Sequence, residues 1–199
     1  VSNAEGRIVK VINGAFVKGL NTITLQKSDL EPGILFYQLD TPRNSAVVAY
    51  STPCLYTPKS GAPALVFNSQ GHGIYGLAPD TGKVLWEYGE AFDKRSVSSP
   101  LIAGDLVFGS CGSGGGGNFL TVVEAGDGRG RPATLAYQMK KSAPYVPTGV
   151  IVGELGWFLS DGGVLTGLRV ADGELRFQER VGGNFFGSPV WVDGRLFAV

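Results

Sequence analysis

Short runs of β-branched, aliphatic and aromatic residues alternate with polar turns along the chain. Examples are RIVKVI (7–12), NTITL (21–25), ILFYQL (34–39), ALVF (64–67), LVFG (106–109) and WVDGRLFAV (191–199), with Gly, Asp, Asn and Pro between them. No window carries apolar residues at i, i+3, i+4 and i+7 over three turns, as an amphipathic helix would. The pattern therefore predicts many short strands joined by tight turns, in an all-β sandwich, barrel or propeller.

Four segments of the chain begin in the same way: a small residue or a valine precedes a proline, and a β-rich run follows. The prolines are Pro53, Pro100, Pro147 and Pro189, so the spacings are 47, 47 and 42 residues. A period of this length holds about four short strands, which is the size of one propeller blade.

A second mark lies in the later half of the units, where IYGLAPDTGKVLW (74–86) aligns with LTGLRVADGELRF (165–177). The shared features are a turn with Asp and Gly and an aromatic residue four positions later; they are Asp80, Gly82 and Trp86 in one unit, and Asp172, Gly173 and Phe177 in the other. Glycine supplies the positive φ of such a turn, Asp caps it, and the aromatic packs against a neighbouring unit. The middle unit, LTVVEAGDG (120–128), keeps Gly128 but is expected to lack the closing aromatic.

These units resemble the quinoprotein-type, or PQQ-like, β-propeller repeat, over residues 47–199. The resemblance divides the chain into units at 47–93, 94–141 and 142–183, and an incomplete unit at 184–199. Propellers of this family close with about seven or eight blades, so the resemblance implies an incomplete propeller or one that closes by association of chains. The predicted fold class is all-β: a partial propeller of three to three-and-a-half four-stranded blades, preceded by a small antiparallel β segment.

Residues 1–43 do not fit this repeat and resemble the second half of the C-terminal sorting domain of type IX secretion. The matching residues are Gly6, Gly19, Asn21, Leu30, Gly33, Phe36, Tyr37 and Leu39. Such a domain normally ends a chain, whereas this segment begins one, and the link at 41–45 (TPRNS) is the predicted boundary. The arrangement implies a fusion of two fragments or an unusual natural order, and Val1 at the start is typical of an excised piece.

The glycine-rich stretch CGSGGGGN (111–118) raises the question of a phosphate-binding loop. No Lys-Ser or Lys-Thr follows it, and a dinucleotide fingerprint on Gly112, Gly114 and Gly117 would need a following helix, whereas NFLTVV is a strand pattern. The repeat places the stretch beside 70–73 and 161–163, with Cys111 at the position of Gln70. It is therefore predicted to be the hairpin loop of the second blade.

The residues that could carry chemistry are few. Cys54 and Cys111 permit one disulfide, with two buried free thiols as the alternative, and no metal motif is present because only His72 could assist them. The candidate binding residues are His72, Arg95, Asp161 and Arg180; Arg95 and Arg180 precede new blades, and Asp161 is expected to cap its own turn. No catalytic residue and no pair of carboxylates is singled out.

Charge excludes two classes of partner. Lys plus Arg and Asp plus Glu are 17 each among 199 residues, so the net charge is zero and neither nucleic acid nor an anionic membrane is indicated. No apolar run reaches the length of a membrane span.

The resemblances imply a non-catalytic, extracytoplasmic bacterial scaffold, secreted or periplasmic, that binds a protein or a glycan, with homo-oligomers completing the propeller as one option. No cofactor is expected. A fragment of a PQQ-dependent dehydrogenase is the first alternative, but the adjacent cysteines of that family are missing, and Trp86, Trp157 and Trp191 fall at strand positions. A chimeric chain with no evolved function is the second alternative.

Overall fold

The computed structural model describes residues 2–3, 35–36, 49–59 and 61–199. The chain divides into two compact units, Val1–Ser45 and Ala46–Val199. In the first unit, β1 (Ser2–Asn3) and β2 (Leu35–Phe36) form an antiparallel pair, with Ser2 opposite Phe36. The strands predicted at 7–12 and 21–25 lie outside the described residues.

The second unit consists of consecutive antiparallel sheets, each of which follows the order of its strands in the chain. Blade one contains β3 (Cys54–Tyr56), β4 (Ala64–Ser69), β5 (Gly73–Leu77) and β6 (Val84–Tyr88). Blade two contains β7 (Leu101–Ala103), β8 (Leu106–Cys111), β9 (Phe119–Glu124) and β10 (Thr134–Met139). Blade three contains β11 (Val150–Val152), β12 (Leu155–Leu159), β13 (Val164–Arg169) and β14 (Leu175–Arg180). A half-blade follows, with β15 (Val190–Val192) and β16 (Arg195–Phe197). No helix occurs among the described residues, and the predicted fold class is confirmed.

The pairing of the third and fourth strands is interrupted at the same place in all three blades. The residues just before the interruption are Gly76 opposite Trp86, Val122 opposite Tyr137, and Gly167 opposite Phe177. Blade two therefore has its closing aromatic, Tyr137, and the prediction that it lacks one was wrong. The turn before β10 is longer than its counterparts, so the aromatic lies nine residues after Gly128 instead of four.

The predicted turn glycines adopt the left-handed conformation that favours glycine. The φ angles of Gly82, Gly128 and Gly173 are 67°, 68° and 75°. In blade three the backbone N–H of Glu174 donates to Asp172 Oδ1 at 3.1 Å. In blade one the corresponding bond, from Lys83 N–H at 3.4 Å, goes to Thr81 Oγ1, so that Thr81 and not Asp80 is the counterpart of Asp172.

Two apolar clusters join the blades. The first, between blades one and two, includes Tyr56, Val66, Trp86, Val107 and Val123. The second, between blades two and three, includes Phe108, Val122, Phe158 and Leu168, and the rings of Phe108 and Phe158 stack with centroids 6.0 Å apart. Alternate strand residues point toward the preceding and the following blade, so each blade contributes one face to each junction.

Candidate functional site

The loops between the second and third strands of the blades lie beside the links that join one blade to the next. At this end a cleft of about 370 Å³ opens between blades one and two. It is lined by Gln70, Asp93, Lys94, Arg95, Ser113, Gly114 and Tyr145. The lining combines two cations, one carboxylate, an amide, a hydroxyl and a phenol, so the cleft is suited to a polar ligand that carries negative charge.

The link between blades one and two places Arg95 in the cleft. The Arg95 carbonyl accepts a hydrogen bond from Gly112 N–H at 3.0 Å, and the Arg95 Cζ atom lies 5.6 Å from the centre of the Tyr50 ring. This distance is within the range of a cation–π contact. The Nε atom of Arg95 is buried without a hydrogen-bond partner among the described residues. A hydrogen bond to its backbone carbonyl and the contact with the Tyr50 ring thus position Arg95. Its guanidinium forms no ion pair within the described part of the chain.

The glycine-rich loop is fixed by Lys94. The Lys94 ammonium donates to the carbonyls of Gly116 and Gly117 at 2.8 and 3.0 Å, and Ser113 N–H donates to Asn118 Oδ1 at 3.1 Å. A phosphate cradle would present backbone N–H groups to its ligand, whereas these carbonyls face a cation. The loop joins β8 to β9, as Cys111 opposite Phe119 shows, and the prediction of a hairpin loop is confirmed.

Asp161 fixes the link between blades two and three. Its carboxylate accepts hydrogen bonds from Tyr145 N–H at 2.6 Å and from Val146 N–H at 3.1 Å. The expectation that Asp161 caps its own turn was therefore wrong. The carboxylate satisfies two backbone donors of a neighbouring segment instead, and it thereby holds Tyr145 against the cleft.

The two cysteines are free thiols, so the disulfide that the sequence permits is not formed. Cys54 lies on the first strand of blade one, whereas the Cys111 Sγ atom faces the link after that blade, 3.8 Å from Asp93 Oδ1. Burial raises the pKa of the Cys54 thiol, and it raises the pKa of the Cys111 thiol to about 11. Both thiols are accordingly protonated near neutral pH.

Strand pairing also corrects the alignment of Cys111. Val66 lies opposite Gly76, and Phe108 lies opposite Val122. Gly76 and Val122 are equivalent, because each lies just before the interruption in the pairing of the third and fourth strands. Val66 and Phe108 are therefore equivalent as well. Counting from these pairs places Cys111 at the position of Ser69, one residue before Gln70.

The other two predicted binding residues lie away from the lining. His72 is part of the hairpin loop of blade one, where its backbone N–H donates to Ser69 Oγ at 3.2 Å and its ring contacts the Tyr75 ring at 5.4 Å. Arg180 is exposed at the end of β14, opposite Val164. Of the four predicted binding residues, the structure thus places Arg95 in the lining of the cleft. Asp161 acts on the cleft indirectly, through its hydrogen bond from the Tyr145 backbone.

Of the lining residues, sequence reasoning proposed Arg95 alone for binding; it missed Gln70, Asp93, Lys94, Ser113, Gly114 and Tyr145. The signal that could have found Lys94 is its position next to Arg95, as a basic pair in the link before the second blade. Within the described ranges, no group of three or more His, Cys, Asp or Glu residues could hold a metal ion, and no helix is long and apolar enough to cross a membrane.

Neither a protein-family model nor a curated protein matches the chain, whereas solved structures do. BamB from Moraxella catarrhalis, a PQQ-like β-propeller, matches with a TM-score of 0.51 and 16% identity over 77% of this chain and 45% of that one. The computationally designed Ika4 protein matches with a TM-score of 0.56 and 11% identity over 82% of this chain and 92% of that one. A europium-containing methanol dehydrogenase matches with a TM-score of 0.40 and 12% identity over 49% of this chain and 19% of that one.

The fold is that of a β-propeller. The chain spans about 45% of the length of the BamB chain that it matches. The predicted likeness to PQQ-like propellers is confirmed for the fold, and the likeness of residues 1–43 to a sorting domain stays a prediction.

Proposed function

We propose that this chain is a non-catalytic propeller scaffold that binds a carboxylate group of another protein or of an acidic glycan in the cleft between blades one and two. The observation that supports the proposal is the pair Lys94 and Arg95, two cations that line one cleft and form no ion pair with any described residue. A ligand carboxylate would supply the missing negative charge.

The cleft also has the features that orient a ligand. Ser113 and the Gln70 side chain provide hydrogen-bonding groups, and Tyr145 provides an aromatic wall. Gln70 Nε2 already donates to the Asp93 carbonyl at 3.0 Å, which leaves its amide oxygen as an acceptor. Because the Asp93 carboxylate repels negative charge, an acidic ligand would bind with its carboxylate toward Arg95 and away from Asp93.

The proposal places the protein outside the cytoplasm, secreted or periplasmic. It rests there on the likeness of the blades to PQQ-like propellers, whereas residues 1–43, at the start of this chain, are not expected to act as a secretion tail.

Binding can be tested by calorimetric titration of the full chain with a short poly-glutamate peptide and with polygalacturonate, using neutral dextran as the control polymer. We expect one acidic polymer to bind, and which one binds distinguishes a protein ligand from a glycan. Arg95→Gln should weaken binding about fivefold or more, because it removes a charge beside the ligand. The matched control is Arg129→Gln, an exposed arginine on the blade-two turn.

Binding that is unchanged in Arg95→Gln, or equally weakened by both substitutions, would contradict the assignment to this cleft. Failure of both acidic polymers to bind would contradict a carboxylate ligand. Raised ionic strength should reduce affinity for an acidic ligand, because salt screens exposed charges.

A further inference from the structure

The cleft between blades one and two carries charges of both signs. Lys94 and Arg95 are the cations of its lining, and Asp93, the residue just before them, is its carboxylate. The chain as a whole has 17 basic and 17 acidic residues, so its net charge favours ligands of neither sign. The charges inside the cleft therefore decide which charged ligand it takes.

The Asp93 carboxylate is exposed and has a weak partner. Its Oδ1 atom accepts a hydrogen bond from the Cys111 thiol, with 3.8 Å between Oδ1 and Sγ, and a thiol is a weak donor. In the described part of the chain, no ion pair and no other hydrogen bond reaches this carboxylate. Its negative charge is thus available to a donor that a ligand supplies.

Gln70 adds a second acceptor next to Asp93. The Gln70 Nε2 atom donates to the Asp93 backbone carbonyl at 3.0 Å, which leaves the amide oxygen as an acceptor. The bond ties the hairpin loop of blade one to the link that follows the blade, so it holds both residues in the lining. We call the Asp93 carboxylate and the Gln70 amide oxygen the acceptor set of the cleft.

The Lys94 ammonium and the Arg95 guanidinium form the donor set of the cleft. An ammonium has three donors, and Lys94 uses two of them on the carbonyls of Gly116 and Gly117. One Lys94 donor is left for a ligand, together with the guanidinium, which has no ion pair among the described residues. The donor set suits a carboxylate, whereas the acceptor set repels one. A ligand that carries only negative charge therefore leaves Asp93 without a partner.

We propose that the cleft selects a protein segment in which an acidic side chain lies next to a basic one, with the carboxylate bound by the donor set and the cation bound by the acceptor set. The inference rests on the proposed function and names the chemistry of the ligand. Asp93 sets the specificity, because it attracts a cation and repels a second anion. A protein segment is favoured over an acidic glycan because a cationic donor binds a carboxylate more strongly than a sugar hydroxyl does.

Calorimetric titration of the full chain with two matched peptides tests the inference. The peptides acetyl-Glu-Lys-Glu-Lys-amide and acetyl-Glu-Gln-Glu-Gln-amide present the same carboxylates and differ only in the cations. We expect the Glu-Lys peptide to bind about three- to fivefold more tightly, a modest factor because an ion pair with an exposed carboxylate is weak. Equal binding of the two peptides, or tighter binding of the Glu-Gln peptide, would overturn the inference.

Asp93→Asn tests the role of the carboxylate, since it removes the charge and keeps an oxygen that can accept from the Cys111 thiol. The Glu-Lys peptide should bind about threefold more weakly, because its cation loses an ionic partner. The Glu-Gln peptide should bind about twofold more tightly, because a like charge is removed. A distorted cleft would weaken both peptides instead. A preference for the Glu-Lys peptide that survives Asp93→Asn would contradict the assignment to Asp93.

The matched control is Asp80→Asn, the same change at an exposed aspartate of blade one outside the lining. It should leave the preference unchanged, and an equal loss in both variants would overturn the inference as a general effect of charge. Circular dichroism shows whether the sheets of each variant are intact.

The outcomes separate this inference from the function on which it rests. If neither peptide binds, the carboxylate function and the inference are both wrong. If the two peptides bind equally and Arg95→Gln weakens both, the proposed function stands and the inference alone is wrong. Polygalacturonate that binds more tightly than the Glu-Lys peptide, with no change in Asp93→Asn, would indicate a glycan ligand and would also overturn the inference.

Discussion

Blades one and three follow the same sequence pattern, but the closing aromatic of each lies in different surroundings. Trp86 lies opposite Gly76 and is 4% exposed, since blade two covers it. Phe177 lies opposite Gly167 in the same register and is 38% exposed, with the Trp157 ring against it at 5.6 Å. The repeat therefore fixes where the closing aromatic points, whereas the neighbouring blade decides how far that aromatic is buried and hence how much it stabilises the fold.

The exposed apolar residues of the chain follow this difference. Nine of the 13 exposed large hydrophobic residues recorded in the described chain lie between 175 and 199. The junctions between blades one and two and between two and three, in contrast, are closed by the two apolar clusters. The exposed apolar side chains of the described residues are thus concentrated after blade two, on the last strand of blade three and beyond it.

The largest expected effect comes from truncating the two closing aromatics. Trp86→Ala should lower the free energy of unfolding by about 3–5 kcal/mol, because it opens a cavity in a packed junction. Phe177→Ala should lower it by about 1 kcal/mol, because much of that ring is already in contact with water. Both can be measured by denaturant unfolding at a concentration where the chain is monomeric. Equal losses in the two variants would contradict the comparison.

A smaller effect is expected at Asn68 in the junction between blades one and two. Asn68 is 1% exposed, and its two side-chain polar atoms have no hydrogen-bond partner among the described residues. The equivalent residue in blade three is Leu159, which is just as buried. Asn68→Leu should raise the free energy of unfolding by about 1–2 kcal/mol, because it removes unpaired buried polar groups.

The matched variant at the equivalent position is Leu159→Asn. It should be destabilising by about the same amount or more, because it buries an amide in an apolar site. Denaturant unfolding of both variants gives the comparison directly. A loss of stability in Asn68→Leu would show that the amide has a role that the contacts do not account for.

The smallest effect concerns the Cys111 thiol. Its folded-state pKa of about 11 lies above the ordinary value of 9.0, so the native state holds the proton more tightly than the unfolded chain. The stability due to this group is fully present below about pH 9 and is lost as the pH rises toward 11. Near neutral pH the thiol should react slowly with a disulfide reagent, since the thiolate is the reacting form.

Thiol titration of the native and the unfolded chain measures this protection. We expect two thiols to react promptly after unfolding, and Cys111 to react far more slowly before it. Cys54→Ser isolates Cys111, and Cys111→Ser isolates the half-buried Cys54 as the comparison. Rapid reaction of native Cys111 at neutral pH would contradict its burial in the junction.

Several features could be predicted from local sequence because they depend on neighbouring residues alone. The turn glycines Gly82 and Gly173 and the alternation within each strand are of this kind. Tyr137 was missed because the longer turn before it changes the spacing without changing the pairing. The alignment of Cys111 was wrong by one residue for a similar reason, because the order of residues in the sequence does not reveal which of them are hydrogen-bonded across the sheet.

The cleft depends on contacts between segments distant in sequence. Asp161 accepts hydrogen bonds from Tyr145 and Val146, 16 and 15 residues earlier, and Lys94 bonds to carbonyls 22 and 23 residues later. Sequence reasoning proposed Arg95 because it precedes a blade, but nothing in the sequence places Tyr145 beside it. Links and loops converge only after the blades have packed.

The sequence by itself determined the all-β class, the blade period, the turns and the hairpin nature of CGSGGGGN, because period-two alternation and glycine turns are local properties. The tertiary structure alone decided two things: that Cys54 and Cys111 stay apart, and that Lys94 and Arg95 share a cleft. Each of these depends on which surfaces the packed blades bring together or leave uncovered.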